Sequence, residues 1–293
     1  MPEARFNGVR LYYDVAGSGS PLVFVHEFAG DSRSWEPQVR FFARRYQTIT
    51  YNARGYPPSE VPKDPAAYSQ DAAVEDLRGL ILHLGLAPAH LCGLSMGGYA
   101  VLHVGLRYPE LARSLLIAGC GYGSDDPASF SRDAEELARR IEGEGMDTAG
   151  PVYARGPYRQ PFLRKDPHGW QDFADALARH SSRGSAYTMR GVQARRPSVY
   201  DLRAQLTRLT LPTLIMTGDE DDPCLAPSLF LKQHIASAGL LILPKTGHTI
   251  NLEEPDTFNW ALLDFLTLVE SGHWPARELH PAARSALLPD DRR

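Results

Sequence analysis

The segment that most narrows what this chain can fold into is Gly93-Leu94-Ser95-Met96-Gly97, with Gly98 after it. It follows a short apolar run, His90 to Leu94, and opens a helical pattern, Met96 to Tyr108, that Pro109 stops. An apolar strand that turns directly into a helix belongs to sheets covered by helices on both faces. The small residues on either side let the turn be sharp enough to project Ser95 from the sheet edge. Glycine removes the Cβ clashes of such a strained backbone. The helix N-terminus favours negative charge developing beside the serine.

The rest of the chain keeps this rhythm. Val9 to Val15 alternates apolar and polar residues and predicts an opening edge strand. Leu22 to His26, Tyr46 to Tyr51, Ser114 to Ala118, Thr213 to Thr217 and Leu240 to Leu243 read as further strands. Trp35 to Arg44, Tyr68 to Leu86, Pro227 to Ser237 and Asp256 to Val269 read as helices. The expected class is α/β, with a mostly parallel sheet wrapped by helices. The rhythm breaks between residues 124 and 198, where no strand pattern occurs. Ser131 to Glu142, Asp172 to His180 and Tyr187 to Gln193 look helical there, which predicts an inserted helical lid. The core is then 1–123 and 199–270, and a tail rich in Pro, Ala and charge, 271–293, forms a loosely docked extension.

A serine hydroxyl is a poor nucleophile until a base takes its proton. His248 lies in a loop between the last strand and the last helix, on the strand edge where Ser95 emerges and where chemistry collects in open α/β sheets. His83, His103 and His234 fall inside helical patterns, and His168, His180, His273 and His280 read as solvated. A carboxylate should hold the base's tautomer. Asp219, Glu220, Asp221 and Asp222 follow one another just past the strand Thr213 to Thr217, and the order Ser, acid, His is preserved.

With these motifs in place the chain resembles the α/β-hydrolase-fold superfamily, in particular its lid-bearing serine esterases and haloperoxidase-like hydrolases. The likeness runs from about Phe6 to Leu268. It includes the strand-end segment His26 to Gly30, the Arg54-Gly55 loop, the serine turn, the acid loop after Gly218 and the Gly247-His248 loop. It implies an eight-stranded, mostly parallel sheet with an inserted helical lid. It also implies Ser95 as nucleophile, His248 as base and Asp221, three residues after Gly218, as acid. Asp222, Asp219 and then Asp125 follow as alternatives for the acid. The backbone amides of Phe28 and Met96 would form the oxyanion hole.

Two departures stand out. Glutamate occupies position 27, where the family usually has glycine after the strand-end histidine. Glu27 either turns away to pair with a lid or loop cation, or touches the substrate or tunes a proton transfer. Asn52 stands where relatives commonly have Asp. Tyr122, after the strand Ser114 to Ala118, is a candidate substrate contact, whereas Cys120 reads as core packing.

Composition limits the remaining classes. With 31 Lys+Arg against 35 Asp+Glu, the net charge of −4 argues against a nucleic-acid partner. Three cysteines argue against a disulfide framework. No apolar run reaches 18 residues and the N-terminus lacks a signal-peptide core, so no membrane partner and a cytoplasmic location are expected. No Cys/His/Asp cluster has metal-ligand spacing, so neither metal nor cofactor is called for. A small-molecule substrate is expected, and the oligomeric state is left open. The leading expectation is cleavage of a small carboxylic ester through an acyl-serine. Its rivals are carbon–carbon hydrolysis of a diketone-like ring-fission product, a cofactor-free perhydrolase activity, and a hydrolase-fold ligand receptor.

Overall fold

A computed structural model describes residues 2–278. The strands are β1 (Glu3–Phe6), β2 (Val9–Ala16), β3 (Ser20–Val25), β4 (Tyr46–Tyr51), β5 (Ala89–Leu94), β6 (Ala112–Ala118), β7 (Thr213–Gly218) and β8 (Ala238–Leu243). They form one sheet in the order β1-β2-β4-β3-β5-β6-β7-β8. The pairs β1·β2 and β2·β4 are antiparallel and all others are parallel. The expected edge strand is therefore second from the edge. β1 lies outside it, and its four residues with one buried position carry too little alternation to stand out in the sequence.

Side chains alternate across the central strands. Val23, Val25, Leu91, Leu115, Ile117 and Ile215 face one layer, which holds the helices α2 (Gln70–His83) and α3 (Met96–Arg107). Leu22, Phe24, Cys92, Leu94, Leu116 and Met216 face the other layer, which holds α1 (Glu36–Phe42). Between β6 and β7 every regular element is helical: α4 (Pro127–Glu144), α5 (Met146–Ala154), the 3-10 turn Pro157–Arg159, α6 (Gln160–Lys165), α7 (Pro167–Ala178), α8 (Ser182–Thr188), a π-helical turn Met189–Gln193, the 3-10 turn Val199–Leu202 and the short α9 (Arg203–Leu206). This insertion has its own apolar centre, with Ala138, Ile141, Phe162, Trp170, Phe173 and Leu177, and it closes over Phe28, Tyr56 and Met96 of the sheet domain. α5 and α6 escaped the sequence reading because each is short and contains proline.

The remaining helices are α10 (Asp222–His234), α11 (Ile250–Glu253) and α12 (Pro255–Glu270). α10 supplies Leu231 to the first layer and α12 supplies Phe258, Leu262 and Phe265 to the second. α10 begins five residues before the expected Pro227, which sits inside it. Of the tail, Trp274 stacks edge-on against Phe265 and donates to Ser237 O at 2.7 Å. Residues 279–293 lie outside those described. No described helix is long and apolar enough to cross a membrane.

Strand register sets where the chemistry can occur. Val25 pairs with Gly93, Leu94 with Ala118, and Gly218 with Leu243. The loops after β3, β5, β6, β7 and β8 therefore open on one edge, beneath the insertion. The insertion meets that edge closely at Gly184, where an added Cβ would fall 1.9 Å from Gly55 O. Gly184→Ala should lower stability by about 1–3 kcal/mol through overpacking. Gly143→Ala, on an open face of α4, should raise it by up to about 1 kcal/mol. Urea unfolding of the two variants checks the contrast.

Candidate active site

The turn between β5 and α3 places Ser95 at φ +54°, in the left-handed region. Its N–H donates to Ala118 O at 2.8 Å, which ties the turn to β6. Both flanking glycines are required by space. A Cβ on Gly93 would meet Gly97 O at 2.3 Å, and one on Gly97 would meet Val25 O at 2.1 Å. The motif is thus the sequence imprint of a turn pressed flat against the end of β3.

His248 follows β8. Its Nδ1–H donates to Asp221 Oδ2 at 2.7 Å, which leaves Nε2 as the acceptor. Asp221 is buried at the start of α10. The other acids lie elsewhere. Asp219 accepts from Thr246 N at 3.2 Å, Asp222 begins α10, and Asp125 accepts from Tyr200 OH at 2.6 Å. Ser95 and His248 line one cavity of about 260 Å³. Among the described residues neither Ser95 Oγ nor His248 Nε2 has a hydrogen-bond partner. Such contacts commonly tighten only when substrate binds.

Cys224 sits beside this pair. Ligand-type atoms of Asp221, Cys224 and His248 lie within 4.8 Å of one another, a grouping that residue spacing did not disclose. His248 Nδ1 is already committed to Asp221. Burial, then the Asp221 charge, pushes the Cys224 thiol well up, so it stays protonated. Cys120 is buried as well, and its thiol is pushed up to about 12.

The loop after β3 is fixed by His26. Ala53 N donates to its Nε2 at 3.0 Å, so the proton lies on Nδ1, which donates to Glu27 O at 2.6 Å. Burial lowers the His26 pKa and keeps the ring neutral. Asn52 braces the same region, donating to Pro57 O at 2.7 Å and accepting from Ser32 N at 2.9 Å. Phe28 and Met96 pack their side chains under the insertion. Their amide N–H groups have no hydrogen-bond partner among the described residues.

Glu27 does not line the cavity, which corrects the expectation of a substrate contact. Its carboxylate takes a two-pronged pair from Arg159, at 3.1 and 2.5 Å. Arg159 also donates to Thr249 Oγ1 and lies over the rings of Phe173 and Tyr153, 4.9 and 5.2 Å from their centres. Glu27 is absent from the positive-φ residues, so no glycine geometry is needed there. The buried carboxylate is pushed up by desolvation, but the Arg159 charge and hydrogen bonds outweigh this and hold it below its ordinary value. Nothing in the sequence singled out Arg159 among the arginines of the insertion. Next to it, Tyr158 O accepts from His248 N at 2.8 Å.

Tyr122 lines the cavity and is 40% exposed. His180, expected in solvent, is buried edge-on against Tyr56 and 3.9 Å from Asp31, and burial lowers its pKa to about 4.

A family model described as alpha/beta hydrolase fold matches residues 20–255. The chain is 26% identical over 257 residues to 3-oxoadipate enol-lactonase 2 of Acinetobacter baylyi, covering 87% of this chain and 92% of that protein. It is 27% identical over 274 residues to a putative carbamate hydrolase RutD of Azorhizobium caulinodans, covering 90% and 98%. The solved enol-lactonase of Burkholderia xenovorans LB400 superposes with a TM-score of 0.80 at 25% identity, covering 91% of this chain and all of that one.

Replacing Arg159 by Met should strand the Glu27 charge and cost about 3–5 kcal/mol, whereas Glu27→Gln/Arg159→Met together should recover much of it. Because the folded Glu27 pKa is depressed, its contribution is present above the unfolded value of ~4.3 and fades as pH falls through the folded one. Urea midpoints between pH 7 and 3 check both; an acid limb shallower in Glu27→Gln than in wild type is the expected signature.

Proposed function

The chain belongs to the alpha/beta hydrolase fold family and is a hydrolase, and we propose that it cleaves a small carboxylic ester or related acyl bond through an acyl-serine intermediate. The observation that carries this reading is the His248–Asp221 pair and the Ser95 turn meeting at one cavity.

In this reading His248 Nε2 accepts the Ser95 Oγ proton as Oγ adds to the acyl carbon. The Phe28 and Met96 amides bind the oxyanion, and loss of one such donor costs ~3–4 kcal/mol. Collapse breaks the bond to the leaving oxygen, which takes the proton from His248. Water then adds to the acyl carbon, giving its proton to His248. The acid product departs as Ser95 recovers that proton. Asp221 orients the ring and stabilises the imidazolium. The relatives' names, a lactonase and a carbamate hydrolase, support attack at an acyl carbon bearing a heteroatom leaving group.

Ser95→Ala should abolish turnover of short-chain nitrophenyl esters and block fluorophosphonate labelling. Asp221→Asn should reduce kcat about 10⁴-fold by favouring the wrong tautomer. Equal turnover by wild type and Ser95→Ala would overturn the reading. So would slow labelling of wild type alongside tight ligand binding, which belongs to a receptor.

A further inference from the structure

The insertion holds the His248 loop at three successive residues. Gly247 N donates to Glu253 Oε2 at 2.9 Å, and Glu253 Oε1 lies 3.0 Å from Lys165 Nζ on α6. His248 N donates to Tyr158 O at 2.8 Å. Thr249 Oγ1 accepts from Arg159. The contact is close as well as polar, since a Cβ on Gly247 would meet Tyr158 O at 2.2 Å.

Arg159 also reaches the loop after β3. Its two terminal nitrogens take both carboxylate oxygens of Glu27, and one of them is shared with Thr249. The guanidinium rests 5.2 Å over the Tyr153 ring, and that ring meets Phe28 edge-on at 5.5 Å. Both charges are buried. Such burial adds little stability, because desolvation offsets the attraction. What the fork adds is direction, since two parallel N–H···O bonds fix an angle as well as a distance. Glu27 precedes Phe28, and Thr249 follows His248. The guanidinium therefore holds the immediate neighbours of the two groups that must be aligned on Ser95.

We propose that Arg159 is a positioning residue of the active site, setting the Phe28 amide and His248 at their working separation from each other and from Ser95. This rests on the hydrolase reading for the roles of those two groups, but not for the coupling of the two loops. Neither Glu27 nor Thr249 lines the cavity, so their substitution acts through Arg159 rather than through lost ligand contacts.

Two measurements separate the claims. The first is kcat and KM for 4-nitrophenyl acetate. Glu27→Gln/Arg159→Met, which restores charge balance, should lower kcat about 100-fold and leave KM within about threefold. Thr249→Val removes one arm and should lower kcat about tenfold. Arg159→Lys should fall between wild type and the double variant, because a point charge cannot reproduce the planar fork. Wild-type kcat in the double variant or in Thr249→Val, or a rise in KM alone, overturns the proposal. If the double variant does not fold, Arg159→Lys carries both measurements.

The second is hydrogen exchange without substrate. In the double variant, segments 26–31 and 246–250 should exchange at least about tenfold faster than in wild type, with β6 unchanged. That result supports the coupling even if no ester is cleaved. Unchanged exchange, a change in one loop only, or equal acceleration of β6 overturns it even if esters are cleaved rapidly.

Discussion

One backbone conformation governs the molecule: Ser95 held at φ +54°. A non-glycine residue there is strained by about 1–3 kcal/mol and persists only where its surroundings leave no alternative. Those surroundings are visible. The Ser95 amide is tied to β6, and Gly97 lies against Val25 O with no room for a side chain. Strand order therefore follows from the turn as much as the turn from strand order. β3 and β6 must flank β5, so the loops after β3 and β6 must reach the serine's edge of the sheet.

The insertion completes what the sheet begins. The turn Pro157–Arg159 holds both flanking loops at once. Tyr158 O takes the His248 amide, and Arg159 binds Glu27 on the β3 loop and Thr249 beyond His248. Two consecutive residues, Tyr158 and Arg159, thereby couple His248 to the loop that carries the Phe28 amide. A buried ion pair is weak evidence for stability, since desolvation offsets its attraction. Its value here is geometric. It fixes the distance between two loops that are 221 positions apart in the chain, from Glu27 to His248.

Much of this was legible in the sequence, for physical reasons that differ by element. β5 and α3 were clear because burial on both sides leaves an unbroken apolar run, and because close packing demands glycine at fixed places. His248 and the acid loop were legible from their positions after strands. The particular acid was suggested only by resemblance, because four adjacent acidic residues look alike until α10 buries Asp221 and exposes the approach to His248. β1, α5 and α6 were not legible, being short and weakly periodic. Arg159 and the burial of His180 were not legible at all. Both depend on packing between the insertion and the sheet, which no local pattern encodes. The doubt over Glu27 came from the glycine expected there, yet its backbone occupies ordinary space.

Glu27 and Arg196 then belong to one electrostatic account. A glutamate next to the Phe28 amide would oppose negative charge at that amide if it stood alone. Paired with Arg159 it contributes almost no net charge, and its depressed pKa keeps the pair ionised over the range in which carboxylates are charged. Removing that carboxylate from the balance leaves Arg196 as the uncompensated buried-face cation of the cavity. Exposed Asp133 is screened by solvent and offsets it little. The positive charge facing the cavity is therefore carried mainly by Arg196. Such a charge draws an anionic molecule toward the cavity before any contact is made.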